Sequence, residues 1–469
     1  MKRRQSVAAA ALFFLSFTAV AQEQPTAKGE VIEKVTCAES PGQSYALYLP
    51  TSYSAEKPSP ILYVFDPAAR GRVAVEAIRT AAEEYGYIVA ASNNSRNGLL
   101  GGSGEAANAV FHDTHQRFSI DDRRLYAAGF SGGARLATQI ARNCKTCIAG
   151  VIANGAGFPT SGGPTKDLGF SYYLAIGEGD FNYPEMVDLR RQLEQLHANY
   201  RIQVFDGGHE WAPPEVWEDA LRWMRLQAMR SGNAAVDAKQ IRQILQQESE
   251  EARALESKGN ILEAERNYES ILRDFDGLAE TSDLKAHAEE LKSGKGFKAA
   301  EKQEREDVDR QARLSAKASS EMQEIVGSNV DLAEYSEIQR TIAELKDDVS
   351  KARNPKDPNV LVKKRALGGL VVQAYEAGEH CMETKNYVAA LAYFDLVAAG
   401  AKSPGGARYE RARVYAAQGD AKKCLAELKQ AQANGFHDPA ALEAAEFKPY
   451  RQLPEFQSLA SEWNKQAQP

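Results

Sequence analysis

The stretch Arg124–Arg142 limits the possible folds of this chain more than any other part of its sequence. It opens with a short apolar run, Leu125–Ala128, that has the length of a buried strand, and it closes with apolar residues at helical spacing. Gly129-Phe130-Ser131-Gly132-Gly133 lies between the two. A strand, a G-x-S-x-G motif and a helix in this order predict a turn so tight that only glycine fits two residues before and after the serine.

Ser131 is the candidate nucleophile in this turn. Its hydroxyl would be exposed at the end of a strand, and the next amide, the Gly132 N–H, would donate to a developing oxyanion beside a helix N-terminus. Serine and glycine also fill ordinary turns, so Ser131 alone has a purely structural interpretation. The strand and the helix that flank it favour the catalytic interpretation.

Apolar strands alternate with amphipathic helices from Gly29 to Arg230, which predicts an α/β domain with a mostly parallel sheet covered on both faces. Besides the strand that precedes Ser131, strands are predicted at Val31–Cys37, Tyr45–Leu49, Ile61–Phe65, Tyr87–Ala91, Ile148–Ala153, Tyr172–Ile176 and Arg201–Phe205. Besides the helix that follows it, helices are predicted at Val73–Tyr85, Glu105–Phe118, Glu185–His197 and Pro213–Met229.

The last two predicted strands each lead into a loop with a titratable residue that could assist Ser131. Asp180 ends a Gly-Glu-Gly-Asp turn, and His209 follows a Gly-Gly pair. Loops at the carboxyl ends of strands in an open α/β sheet gather at one crevice. His209 would take the serine proton and return it to the leaving group, and Asp180 would orient the imidazole. Asp180 is also ordinary turn chemistry, with Asp206 and Glu178 as nearby substitutes.

Residues 30–230 resemble a compact secreted esterase of the α/β-hydrolase superfamily, of the polyhydroxybutyrate-depolymerase, feruloyl-esterase and dienelactone-hydrolase kind. The resemblance is carried by Ile120–Ala134 around the serine motif, by Gly177–Asp180 and by Gly208-His209. The chain order serine, aspartate, histidine is also that of the superfamily. The resemblance implies an α/β-hydrolase fold and the roles of nucleophile, acid and base for the three residues above.

In that superfamily the loop after the third strand supplies a second oxyanion donor beside the Gly132 N–H. Many relatives have His-Gly there, whereas this chain has Asp66-Pro67-Ala68-Ala69. Proline has no N–H, so the resemblance points to Ala68 as the donor, with Ala69 next. Asp66, beside the site, would repel anionic substrates.

Four more residues near these loops are candidates for binding. Arg96, in a polar loop after the fourth strand, and Trp211, just after the histidine, are candidate substrate contacts. Alternatively, Arg96 belongs only to a surface loop and Trp211 only to the core. His112 and His115 have a metal-like spacing, but no third ligand accompanies them. We therefore expect no metal, and the proposed chemistry needs no organic cofactor.

The N-terminus predicts export. Residues 1–21 combine a basic start, an apolar stretch and an Ala-Val-Ala cleavage site, which is typical of a secretory signal peptide, and no later run is apolar enough to span a membrane. A periplasmic or secreted location follows. In such an oxidising compartment, Cys144 and Cys147 are expected to form a local disulfide or to remain as two thiols.

The second half of the chain predicts an all-α domain over residues 239–465, after a linker at 231–238. Its clearest part, 371–437, resembles tetratricopeptide repeats, because small and large apolar residues recur 34 residues apart. These residues are Gly378, Tyr387, Ala390 and Phe394, then Ala412, Tyr415, Gly419 and Leu428. Cys381 and Cys424 are expected to be buried packing residues. A groove for a protein or peptide partner and a packed appendage without one remain equal alternatives.

Together these features predict an exported serine hydrolase that cleaves carboxylic esters through an acyl-enzyme on Ser131. The substrate would be a small ester or an acyl group carried by a polymer such as a polysaccharide. Two alternatives stay open: a serine peptidase of the same fold, and a repeat scaffold whose hydrolase domain is catalytically silent. A net charge of −7 argues against nucleic acid as a partner.

Overall fold

The computed structural model describes residues 27–97, 100–159, 162–324 and 332–466, and the predicted signal peptide lies outside them. Eight strands form one sheet in the order β1-β2-β4-β3-β5-β6-β7-β8. The strands are β1 (Val31–Thr36), β2 (Ser44–Tyr48), β3 (Ser59–Phe65), β4 (Ile88–Ser92), β5 (Ile120–Phe130), β6 (Gly150–Asn154), β7 (Ser171–Gly177) and β8 (Tyr200–Phe205). Strand β2 is antiparallel to both of its neighbours, and the remaining pairs are parallel. The predicted mostly parallel sheet is confirmed.

Helices cover both faces of this sheet. They are α1 (Gly71–Tyr85), α2 (Leu100–Arg117), α3 (Gly132–Asn143), α4 (Tyr183–Gln195) and α5 (Pro214–Arg230). Neighbouring residues of β3 point to opposite faces: Leu62 joins the apolar cluster under α1 and α5, and Ile61 joins the cluster under α3 and α4. Burial on both sides explains why the parallel strands are continuous apolar runs rather than alternating ones.

The rest of the described chain is helical. Its helices are α6 (Ala238–Ser257), α7 (Ile261–Asp274), α8 (Ser282–Ser293), α9 (Lys295–Glu324), α10 (Leu332–Ser350), α11 (Pro358–Glu383), α12 (Tyr387–Gly400), α13 (Gly405–Ala417), α14 (Ala421–Ala433) and α15 (Pro454–Gln466), with short 3-10 helices at Pro439–Glu443 and Ala445–Tyr450. Within the described ranges, no helix is long and apolar enough to cross a membrane.

Helices α11 and α12 form one closely packed pair, and α13 and α14 form another, over the region that resembles tetratricopeptide repeats. Gly378 allows the first pair to approach closely, because a Cβ on it would lie 2.7 Å from the Phe394 ring. Cys381 and Cys424 are buried, as expected of packing residues. The assignment of these pairs to that repeat family stays a prediction.

The helical half packs directly on the α/β half at the predicted linker. Leu226 and Met229 of α5 share one buried apolar cluster with Ile244 of α6 and with Tyr268 and Ile271 of α7. A short turn connects α5 to α6, but the packing continues across it. Apolar packing therefore continues from α5 to α6 and α7 across residues 231–238, and the division of the chain into two domains there stays a prediction.

The cysteine chemistry resolves one of the alternatives left by the sequence. Cys144 and Cys147, just after α3, are joined by a disulfide. Cys37, between β1 and β2, is buried and free. Burial, and to a smaller extent the nearby Asp113 carboxylate, together raise the pKa of the Cys37 thiol to about 11. A thiol of this kind stays protonated and unreactive near neutral pH.

Candidate active site

The turn between β5 and α3 has the strained geometry that the motif predicts. Ser131 has φ 52° and ψ −120°, a conformation that residues with a Cβ rarely adopt. A Cβ on Gly129 would lie 2.3 Å from the Gly133 carbonyl carbon, and one on Gly133 would lie 2.0 Å from the Phe65 oxygen. Only glycine fits at either position, so the two glycines enforce the exposed position of the serine at the end of β5.

Ser131, His209 and Asp180 meet at the carboxyl ends of the strands. The Ser131 Oγ lies 2.9 Å from His209 Nε2. His209 Nδ1 lies 2.9 Å from Asp180 Oδ2 and 3.0 Å from Oδ1. The structure thus brings together, in hydrogen-bonded order, three residues that are far apart in the sequence. Neither Asp206 nor Glu178 takes the place of Asp180 beside the imidazole, since both contact Lys356 instead.

Asp180 is fully buried and held in place by its surroundings. The Asn182 N–H donates to its Oδ1 at 2.8 Å, in addition to the two contacts with His209. Burial raises the pKa of Asp180, and the hydrogen bonds that Asp180 accepts from His209 and Asn182 lower it again only in part. Because the buried site has a lower dielectric than water, the attraction between this carboxylate and a positively charged imidazole is stronger than it would be in water.

The His209 ring contacts two aromatic rings. Phe130, which precedes the serine, is 4.6 Å away between centroids, and Phe181, which follows the aspartate, is 4.2 Å away, each tilted by 42° to the imidazole. The imidazole is still about one-fifth exposed, with 19% of the side chain accessible. Packing therefore restrains the ring, and part of it remains open to solvent.

The loop after β3 differs from expectation. The Ala68 N–H, predicted as the second oxyanion donor, donates to Asp66 Oδ1 at 2.8 Å. The Ala69 N–H donates to the Asp66 backbone oxygen, and the Arg70 N–H to Asp66 Oδ1. The N–H groups of Ala68 and Arg70 thus donate to the buried Asp66 carboxylate, and that of Ala69 donates to the Asp66 backbone oxygen. The role of Ala68 as an oxyanion donor stays a prediction.

Asp66 also has a structural role that the sequence did not indicate. Arg70 forms an ion pair with it at 2.8 Å, and Trp211 Nε1 donates to it at 2.9 Å. Burial raises the pKa of Asp66, but these hydrogen bonds outweigh burial, so the pKa lies below the ordinary value. Since Asp66 is buried and its charge is balanced by Arg70, the expected repulsion of anionic substrates does not follow.

The two candidate substrate contacts lie near this loop. Trp211 packs on Phe130 with ring centroids 5.7 Å apart, and its indole is tied to Asp66. Arg96 is exposed, and its backbone forms a bridge with Ala68. A role in binding substrate stays a prediction for both residues.

His112 and His115 do not form a site together. His115 lies within hydrogen-bonding distance of the Phe111 oxygen and of Asp122, which anchors it between α2 and β5. Across the described ranges, no group of three His, Cys, Asp or Glu side chains could hold a metal ion.

Two residues at the site were missed in the sequence. The Asn97 side-chain amide lies over Gly132, where a Cβ would be 1.8 Å from its Oδ1. Phe181 contacts the candidate base with its ring tilted by 42°. Gly132, the middle of the three glycines in Gly-Phe-Ser-Gly-Gly, was a signal for Asn97, because the motif requires glycine only at the two ends and not directly after the serine.

No protein-family model matches this chain, and no curated protein matches it. Among solved structures, the chain is similar to S-formylglutathione hydrolase FrmB from Staphylococcus aureus, at 16% identity over 42% of this chain and 98% of that one, with a TM-score of 0.34. It is also similar to the feruloyl esterase module from Clostridium thermocellum, at 14% identity over 41% and 87% of the two chains, with a TM-score of 0.33. A hyperthermophilic esterase from Pyrobaculum calidifontis matches at 13% identity over 45% and 88%, with a TM-score of 0.33. The case for a function therefore rests on the geometry of the site.

Proposed function

We propose that this protein is a serine hydrolase that cleaves carboxylic esters through an acyl-enzyme on Ser131. The observation that carries the proposal is the hydrogen-bonded row from the Ser131 hydroxyl through His209 to Asp180. A serine hydroxyl is a weak nucleophile until an adjacent base removes its proton, and the imidazole stands at hydrogen-bonding distance for that transfer.

The reaction would run in two halves. His209 takes the Ser131 proton as Oγ attacks the ester carbonyl carbon, and it then gives that proton to the alcohol oxygen as the C–O bond breaks. Water repeats the sequence on the acyl-enzyme: its proton goes to His209, its oxygen attacks the carbonyl, and the proton returns to Ser131 as the acid leaves. The Asp180 carboxylate stabilises the imidazolium in both halves and keeps the proton on Nδ1 in the resting state.

The oxyanion needs donors, and the Gly132 N–H is the first of them. As the first residue of α3, Gly132 has no partner for its N–H inside the helix. The side-chain amide of Asn97 would be the second, because the Ala68 N–H is taken by Asp66. A half-turn about the Asn97 χ2 places its Nδ2 where Oδ1 now lies over Gly132.

Replacing Asn97 by alanine is expected to lower kcat by about 10²-fold with little change in KM, since loss of one oxyanion donor costs about 10²–10³ in kcat. Steady-state kinetics on an aryl acetate measures this. Asn464→Ala is the matched control: it removes the side chain of an exposed asparagine of α15 and should leave kcat within about threefold of the wild type. If kcat of Asn97→Ala equals that of Asn464→Ala, Asn97 is not the donor.

The substrate class proposed is a small ester or an acyl group carried on a polymer, such as an acetyl or feruloyl ester of a polysaccharide. Residues 1–21 support export to the periplasm or beyond. The helix pairs over 371–437 are proposed to be tetratricopeptide-like, with a protein or peptide as their partner. A peptidase of the same fold and a silent hydrolase domain on a repeat scaffold are the competing functions.

Two measurements on the purified protein test the proposal. In the first, the turnover of aryl esters of increasing acyl length is compared with the turnover of peptide amides. In the second, an alkyl fluorophosphonate, which labels activated serines covalently, is added in increasing amounts. We expect ester turnover to fall in proportion to the fraction of protein labelled, and peptide mass analysis to locate the label on Ser131. Amide turnover would support the peptidase instead. Inertness toward every ester, with no label on Ser131, would support the silent scaffold.

A further inference from the structure

The loop that carries the candidate acid is held by the helical half of the chain. Gln311 of α9 is buried, and its Nε2 donates to the backbone oxygen of Phe181 at 2.9 Å. The Tyr183 hydroxyl donates to Glu304 of α9 at 2.9 Å, and Glu304 is in turn paired with Arg266 of α7 at 2.7 Å. The contacts of Glu304 are buried and that of Gln311 is partly buried, so water competes for them less than it does at a surface.

Helix α11 holds the same loop from its other side. Arg365 Nε donates to the backbone oxygen of Glu178 at 2.6 Å, and the Arg365 guanidinium lies 3.7 Å from the centre of the Tyr183 ring. Further along the helix, Gly368 and Gly369 face Phe181: a Cβ on Gly369 would lie 3.5 Å from the Phe181 Cβ. Two adjacent glycines inside a helix cost about 1 kcal/mol each relative to alanine. A methyl group at either position would make an ordinary contact with Phe181, so the space beside Phe181 excludes side chains larger than that of alanine.

Phe181 links this packing to the chemistry. Its ring contacts the His209 ring, with centroids 4.2 Å apart and a tilt of 42°, and its backbone and Cβ contact α9 and α11. Loops are otherwise the most mobile parts of a fold, and catalytic groups must be held to within about 0.5 Å of their working geometry.

We infer that the helical half is a structural part of the active site, in which α9 and α11 fix Phe181 as a positioning residue for the imidazole of His209. This inference rests on the proposed function for its effect on turnover. It assigns a role to the second half of the chain that is independent of any binding partner. It also places the loop of the candidate acid under the control of residues that lie 130 and 187 positions along the sequence from the residues they contact.

Substitutions at Gly369 test the inference, because they change the space beside Phe181 while the sequence of the α/β half stays unchanged. Gly369→Ala adds only a methyl group, which fits beside Phe181 at contact distance, so kcat should stay at the wild-type level. Alanine also favours the helix more than glycine does, so Tm should rise. Gly369→Leu should displace Phe181 and lower kcat about 10–100-fold with KM within about threefold, because misplacement by about 1 Å costs about 10²-fold.

Two matched controls separate positioning from general damage to the helices. Gly406→Leu changes a glycine of α13 that faces Phe436, within the helical half. Gln311→Leu is paired with Gln373→Leu, which removes an amide–carbonyl bond between α11 and Ser319 of α9. The inference predicts a kcat loss for Gly369→Leu and Gln311→Leu only. Equal kcat in all variants, or equal losses in the controls, would overturn it.

A readout that does not depend on turnover keeps this test distinct from that of the proposed function. The chain has 7 histidines, so the imidazole signals can be resolved by ¹⁵N NMR and the His209 signal assigned with a His209→Gln variant. We expect the His209 signal to shift in Gly369→Leu and to stay in place in Gly369→Ala and Gly406→Leu. An unmoved His209 signal in Gly369→Leu overturns the inference, even if the wild type hydrolyses esters.

Discussion

Ser131→Gly is expected to abolish ester hydrolysis and, at the same time, to make the protein more stable. Ser131 has φ 52° and ψ −120°, and a residue with a Cβ held in such a region costs about 1–3 kcal/mol. Glycine adopts this conformation without strain, although it loses about 0.5–1 kcal/mol to the greater freedom of the unfolded chain. The net gain in the free energy of unfolding should be about 1 kcal/mol.

The matched variant is Ser131→Ala, which keeps the Cβ and therefore the strain. Both variants should lose about 10⁶-fold in kcat, as expected when the nucleophile of such a triad is removed. Only the glycine variant should gain stability, measured as a higher urea midpoint with an unchanged m-value. If the two variants unfold at the same midpoint, the turn stores no strain, and the exposed serine has another cause.

The sequence contained enough to place the three central residues because two simple constraints act on them. The turn at Ser131 is set by backbone sterics within five residues, so Gly129 and Gly133 identify it directly. Asp180 and His209 follow because the carboxyl ends of parallel strands meet at one edge, and each residue stands in the loop after a clearly apolar strand. Strand periodicity and topology therefore predict proximity without knowledge of side-chain packing.

The hydrogen bonds of the loop that was expected to supply a second oxyanion donor could not be predicted in this way. Ala68 was the natural choice by position, but the path of its loop depends on Asp66, which turns the amides of residues 68 to 70 toward its own side chain and backbone oxygen. Ala69 has φ 61° in this turn, which no glycine signals in the sequence. A loop built around a buried charge is a tertiary feature, and residue spacing does not encode it.

The contact between the helices and the loop that carries the candidate acid, Asp180, also could not be predicted from the sequence. The many charged residues of α9 predict a helix exposed to solvent, because the sequence does not distinguish a buried ion pair from an exposed one. Gln311 and Glu304 are nevertheless buried against the α/β half. The adjacent glycines in the middle of α11 were the one local sign that another element approaches that helix closely.

Arg201→Met is expected to lower the free energy of unfolding by about 3–5 kcal/mol, the cost of leaving buried charges without their partner. Arg201 of β8 is 4% exposed and pairs with Glu248 of α6 at 2.7 Å and with Asp274 of α7 at 2.9 Å. Trp223 Nε1 also donates to Asp274 at 2.8 Å. Because this cluster joins the last strand of the sheet to the first two helices of the second half, its loss should loosen both together.

The control for this prediction is Arg340→Met, which removes an exposed arginine of α10 paired with Glu337 and Glu344 at 3.8 and 3.7 Å. It should cost less than about 1 kcal/mol, as surface pairs do. Adding Glu248→Gln to Arg201→Met should recover part of the loss, because it removes one of the stranded charges. Without that recovery, lost packing of the arginine stem and not charge burial is the cause.

The pH dependence of the Arg201→Met deficit gives the same information through a different measurement. Burial already raises the pKa of Glu248, and Arg201 lowers it. Without Arg201 the folded-state pKa of Glu248 rises further above the unfolded value, so the folded protein binds more protons than the unfolded chain, and its stability increases as the pH falls. The deficit relative to the wild type should therefore shrink as the pH falls from neutrality toward about 4.3, the ordinary pKa of a glutamate in an unfolded chain. A deficit that stays constant over this range would show that Glu248 and Asp274 find water or another cation when Arg201 is gone, and that the two halves are not held together by this charge.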